Sequence, residues 1–185
     1  MHLYLIGYRG SGKTTVAQHL SKLLGWPAID ADVVLEEREK RTIKQIFEAG
    51  GEPLFRDLET SVLEELAARS LPPQIVALGG GVILREKNRR LIRHSGAAVW
   101  LKARATTLWQ RISTDPTTGD RRPNLTASGG LEEVYRLLEI REPLYRIASR
   151  WSVDADAKAP ARIATQIYRR LGSLRREALV RRSTC

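Results

Sequence analysis

The chain has 185 residues, 42% apolar and 28% charged, a balance that supports one domain with a real core and excludes disordered and membrane-embedded classes. Its longest apolar stretch, residues 75–84, is interrupted by three glycines and is too short to span a bilayer, no secretory leader is visible, and the lone Cys185 has no disulfide partner, so a cytoplasmic protein is expected. The net charge of +10 invites a nucleic-acid reading, but seven arginines against one glutamate fall in residues 162–185, which leaves only a small surplus elsewhere.

Residues 3–6 predict a buried strand, and Gly7-Tyr8-Arg9-Gly10-Ser11-Gly12-Lys13-Thr14 follows it. This stretch fits G-x-x-x-x-G-K-[ST] at every fixed position, and a helix-period segment, residues 16–24, comes next. Strand, loop and helix in that order make a phosphate site. Glycines let main-chain N–H groups turn inward around an anion, and the helix start adds its positive dipole end. Lys13 is placed for the β- and γ-phosphates of a nucleoside triphosphate, and the Thr14 hydroxyl for Mg²⁺.

Gly25 should stop the first helix, and residues 27–29 form a short second strand that ends at Asp30. Asp30 and Asp32 lie on one side if the backbone stays extended. Asp30 is then a candidate for supporting a metal, and Asp32 for facing an acceptor hydroxyl. Either serves equally as the cap of a helix beginning near Val33. Thr42 and Gln45 have capping-box spacing for a short helix ending at Gly50-Gly51, and residues 52–69 continue as a longer helix. On it, Arg56 and Glu59 stand at i, i+3, as a surface pair or as an arginine held to receive a carboxylate.

A third strand, residues 75–78, runs into Gly79-Gly80-Gly81, read as a tight turn or as exposed amides facing a substrate. After Arg85 a helix buries Leu91 and Ile92, a fourth strand covers 97–101, and another helix covers 106–112. Residues 113–130 have no helical period and read as a functional loop, with Arg122 able to swing over phosphates. Residues 131–148 form a strong helix with Pro143 late in its course and Arg141 as a second carboxylate ligand or a plain surface arginine. Residues 151–153 make a fifth strand, and Pro160 opens the last helix, which Gly172 should end before an Arg-rich tail. That tail lacks interleaved aromatics beyond Tyr168, so it is expected to be solvated rather than bound to nucleic acid. The β-α alternation predicts a parallel sheet with helices on both faces and ligands at the carboxyl ends of its strands. The three histidines have no ligand spacing.

The ordered set GYRGSGKTT, IDAD, TIKQIFEAGGEPLFRDLE, LGGG, RRPN and REPLY resembles the shikimate kinase family over about residues 1–165. The resemblance implies a P-loop kinase of α/β class, three-layer α-β-α, with a five-stranded parallel sheet of order 2-3-1-4-5. It implies a single domain over residues 1–172, with a substrate-binding segment about 32–60, a lid about 113–126, and residues 173–185 as a tail outside the pattern. ATP with Mg²⁺ would be the phosphoryl donor and the 3-hydroxyl of shikimate the acceptor, in a monomer that touches neither nucleic acid nor membrane.

Carried onto this sequence, Gly10, Ser11, Gly12, Lys13, Thr14 and Thr15 would hold phosphate, and Thr14 with Asp30 (through water) the metal. Asp32, Arg56, Gly79, Gly80, Gly81 and Arg141 would contact shikimate. Lys13, Asp32 and Arg122 would act in catalysis, and Arg111 would stack on adenine, with residues 158–160 bordering its other face. The sequence departs from the pattern at Asn124, where the lid usually has Leu, and at Arg9, where the loop is often small or apolar. A gluconate-type sugar-acid kinase would share the loop but need not have the Arg56/Arg141 pair and the triple glycine. A nucleic-acid-binding ATPase would put the basic tail at the centre of function, and a non-catalytic nucleotide-binding regulator would need the acceptor-facing residues to be idle.

Overall fold

A computed structural model describes residues 2–69, 72–114, 130–156 and 158–183, with the helix beyond residue 173 as backbone alone. Five parallel strands, β1 His2–Ile6, β2 Ala28–Asp30, β3 Ile75–Ala77, β4 Gly96–Lys102 and β5 Trp151–Asp154, form one sheet of order 2-3-1-4-5. The register pairs Leu5 with Ala77 and Val99, and Asp30 with Ala77. The ends of β1, β2 and β3 therefore stand side by side, and the site is built above them.

Helices α1 Lys13–Leu24, α2 Ala31–Glu39, α3 Ile43–Ala68, α4 Glu86–Ser95, α5 Ala105–Thr114, α6 Gly130–Ala148 and α7 Pro160–Ser183 cover both faces of the sheet. Strand side chains alternate between the faces. Leu3, Leu5, Ile75, Ala77, Ala97, Val99 and Leu101 meet Val16 and Leu20 of α1, Leu108 of α5 and Ile163 of α7. Tyr4, Ile6, Val76, Ala98 and Trp100 meet Leu35 of α2, Phe55 and Leu63 of α3, and Ile92 of α4. Helix α6 serves both cores, through Val134 and Leu138 on the first side and Tyr145 and Ala148 on the second.

Local chemistry accounts for the helix boundaries. Gly25 ends α1 in a left-handed cap, and its N–H donates to the Ser21 carbonyl. Thr42 and Gln45 exchange reciprocal hydrogen bonds, a cap worth about 1 kcal/mol. Gly51 breaks α3 at φ 65°, ψ −163°, so the expected two helices, one to Gly50-Gly51 and one from Glu52, meet at a kink.

Three boundaries differ from expectation. Helix α2 starts at Ala31 rather than near Val33, because Asp30 caps it. Helix α5 takes in Ser113 and Thr114, whose hydroxyls donate to the Gln110 carbonyl and prolong the last turn. Helix α7 passes through Gly172 and runs to Ser183. One glycine in a helix interior costs about 1 kcal/mol, which the burial of Leu171 alongside it offsets.

Candidate active site

The phosphate loop leaves β1 at Gly7 and closes into α1 at Gly12, which holds φ 85°, ψ 21°. That dihedral is open to glycine at little cost and turns the loop amides to one side. Lys13 folds back over the loop, and its Nζ donates to the carbonyls of Gly7 and Tyr8, both at 2.9 Å. An ammonium pinned at the mouth of a glycine loop on a helix N-terminus is an anion site. Thr15 follows on the first turn of α1, and the Ser11 hydroxyl is buried with no protein partner.

Asp30 does two jobs at the end of β2. One carboxylate oxygen accepts from the Asp32 N–H at 3.0 Å and caps α2, and the other accepts from the Thr14 hydroxyl at 2.6 Å. Asp30 has extended dihedrals whereas Asp32 lies in the first helical turn, so the extended-backbone argument for their shared side does not hold. What joins them is the cap hydrogen bond. The Thr14 and Asp30 oxygens suit a hard cation such as Mg²⁺, and no cluster of three or more His, Cys, Asp or Glu competes among the described residues. A hollow of about 350 Å³ adjoins this pair, between Ala17, Ile29 and Val33.

The other wall of the site gathers from α3, α6 and the turn after β3. Arg56 is buried, and its guanidinium donates to Glu59 at 2.7 Å and to Glu52 at 2.9 and 3.0 Å. Burial alone would lower the Arg56 guanidinium, but Glu59 and Glu52 outweigh it and hold it above its ordinary value. Gly79, Gly80 and Gly81 are buried beside it. A Cβ on Gly81 would collide with the guanidinium of Arg56, so glycine here is a matter of room. A Cβ on Gly80 would stand 3.2 Å from the backbone nitrogen of Arg9, so the glycine turn abuts the phosphate loop.

Arg141 is 5% exposed and lies over the ring of Tyr8, 5.5 Å from its centroid. One turn on, the Tyr145 hydroxyl donates to the Gly80 carbonyl at 2.5 Å, and burial holds that phenol well above its ordinary pKa. Arg111 of α5 donates to the carbonyls of Gly10, Ala155 and Asp156, bridging the phosphate loop to the turn before residues 158–160. Burial would raise Asp156, but hydrogen bonds from the Arg104 amide, Thr107 and the Arg104 side chain hold it below the usual carboxylate range. Arg122 and lid positions 115–126 lie outside the described residues.

The structure thus brings Lys13, Thr14, Asp30, Asp32, Arg56, the triple glycine and Arg141 to one end of the sheet. It also brings Tyr8, Glu52, Glu133 and Tyr145, which sequence reasoning did not single out. For Glu133 and Tyr145 the signal was available on α6, where Glu133 falls among the buried positions Val134, Leu138, Arg141, Tyr145 and Ala148. Charge on a buried helix face needs a partner, and the partner marks a site.

Comparison with known proteins agrees with this geometry. The family model described as shikimate kinase matches residues 9–172. The shikimate kinase of Rhodopirellula baltica is 42% identical over 168 residues, covering 91% of this chain and 89% of that protein. The structure of shikimate kinase from Acinetobacter baumannii in complex with shikimate superposes with a TM-score of 0.86 at 35% identity, covering 93% of each chain. A gluconokinase from Sinorhizobium meliloti, at 19% identity and a TM-score of 0.52 over 92% of each chain, shares the fold alone. With the family model matching residues 9–172 and a relative 42% identical over 91% of this chain, the chain belongs to the shikimate kinase family.

Proposed function

We propose that this chain transfers the γ-phosphoryl group of ATP to the 3-hydroxyl of shikimate, giving shikimate 3-phosphate and ADP. The observation that carries this is the pairing of the phosphate loop with an acceptor wall holding two buried guanidiniums, Arg56 and Arg141, around a glycine turn. Two arginines at one wall suit a carboxylate, and a ring bearing hydroxyls beside that carboxylate fits an edge with no side chains.

Phosphoryl transfer needs positioning and charge neutralisation more than covalent chemistry. Gly10, Ser11, Gly12, Lys13, Thr14 and Thr15 hold the phosphates, and Lys13 moves from the loop carbonyls toward them. Thr14 and Asp30, the latter through water, would hold Mg²⁺, which would neutralise charge on the phosphate oxygens. Arg56 and Arg141 anchor the acceptor carboxylate, and Gly79, Gly80 and Gly81 give the ring its room. Asp32 orients the acceptor hydroxyl, Arg111 flanks the adenine, and Arg122 covers the transferring group from the lid. The protein acts as a cytoplasmic monomer, with residues 1–172 as the working domain and 173–185 as a dispensable tail. No helix among the described residues is long and apolar enough to cross a membrane.

A coupled ADP-release assay across shikimate, quinate, gluconate and nucleoside monophosphates tests the proposal. Turnover with shikimate well above the others is expected. Turnover of another acceptor with none of shikimate would overturn it.

A further inference from the structure

Helix α6 is tied to the site at three points, and the first of them has no role in the chemistry above. Glu133 lies at the start of α6 and accepts from Arg9 at 3.0 Å, with their side chains 0% and 11% exposed. Arg9 stands at one of the unspecified positions of the G-x-x-x-x-G-K-[ST] loop. Its backbone nitrogen sits beside Gly80 while its side chain reaches α6. Further along α6, Arg141 lies over Tyr8, the neighbour of Arg9, and Tyr145 holds the Gly80 carbonyl. Three side chains of one helix therefore converge on two adjacent loop residues and the glycine that touches them.

A carboxylate taken fully out of water is costly unless paired, so the Arg9–Glu133 contact holds loop and helix at one spacing. Removing either member takes away this contact between the phosphate loop and the start of α6, and the spacing between them is then free to change. Arg141 rides on the same helix about 12 Å along, at 1.5 Å per residue, so it moves with any such change. Burial pushes the Tyr8 phenol up against the pull of Arg9 and Arg141, and the Arg141 guanidinium lies over the Tyr8 ring.

We infer that Arg9 and Glu133 are a positioning pair that sets the spacing between the phosphate loop and α6 and so aims Arg141 at the acceptor carboxylate. The inference rests on the acceptor role proposed above for Arg141. It is tested by steady-state kinetics on Arg9→Met, Glu133→Gln and the double variant, well below their melting temperatures. KM for shikimate should rise about tenfold in Arg9→Met and about fivefold in Glu133→Gln, with kcat and KM for MgATP each moving less than about threefold. The double variant should be no worse than Arg9→Met, because both changes act on the same Arg9–Glu133 contact. Arg9→Lys keeps a cation and should stay within about twofold of wild type. A pair that only stabilises the fold would lower the melting temperature and leave KM for shikimate alone.

KM within twofold of wild type in either folded single variant, or single effects that multiply in the double, overturns the inference. Should Arg9→Met fail to fold, Glu133→Gln, which keeps an acceptor of the same shape, decides it. A wild-type chain inactive on shikimate sinks the functional proposal together with this one, whereas active wild type with unmoved variants sinks the pair alone.

Discussion

The proposed phosphate side and the proposed acceptor side of this site sit against each other but are built differently. Residues 7–15 make the first as one continuous segment, with main-chain amides, a lysine and glycines at positive φ. The second takes Asp32 from α2, Arg56 from α3, three glycines from the turn after β3 and Arg141 from α6. Its two arginines are 8% and 5% exposed, and they are held by different means. Two carboxylates within 3.0 Å grip Arg56, while Arg141 lies against the ring of Tyr8. Local geometry suffices to bind a phosphate, because the anion is read by backbone amides. Reading one acceptor needs remote charges brought together and kept dry, and that costs stability unless each has its partner.

The largest expected effect breaks the phosphate side. Lys13→Met should lower kcat about a thousandfold while leaving shikimate binding, measured by calorimetry, within a few-fold of wild type. Loss of shikimate binding as well would mean that the two sides are not separable. Arg122→Ala should lower kcat about a hundredfold with little change in KM for shikimate, because a lid arginine acts on charge that develops during transfer. An unchanged kcat would remove Arg122 from the catalytic set.

The next two sharpen the contrast between the arginines. Arg56→Ala should raise KM for shikimate about fiftyfold and cost about 3 kcal/mol of stability, since Glu59 is left buried without its main cation. Arg141→Ala should raise KM comparably and cost less stability in denaturant titration, and equal losses would contradict the difference in how the two are held. Gly81→Ala drives a methyl group into the Arg56 guanidinium and should cost about 1–3 kcal/mol while raising KM for shikimate with kcat nearly intact. The smallest effect is expected from a chain truncated after Leu171, which should fold by circular dichroism and keep its rate within about twofold. A folded but inactive truncation would show that the continuation of α7 completes the site.

How far each side could be read from sequence follows from the same difference. The phosphate loop, its flanking strand and helix, the Gly25 stop and the Thr42–Gln45 capping box were legible because each depends on residues a few positions apart. Alternating apolar runs likewise announced a parallel sheet with helices on both faces. Position Gly172 was misjudged because a glycine stops an isolated helix more readily than one docked on a core, where Leu171 is buried. The Asp30–Asp32 geometry went wrong for a related reason, since the cap turned the chain into α2 before Asp32.

Sequence alone named the loop expected to hold a nucleotide's phosphates and, through six ordered motifs, which family to expect. Only the tertiary structure decided that Arg56 is gripped by Glu52 and Glu59, that Tyr145 holds Gly80, and that Glu133 reaches Arg9 across 124 residues of chain. Short-range chemistry is written in spacing, whereas a buried charge acquires its meaning from whatever the fold sets against it.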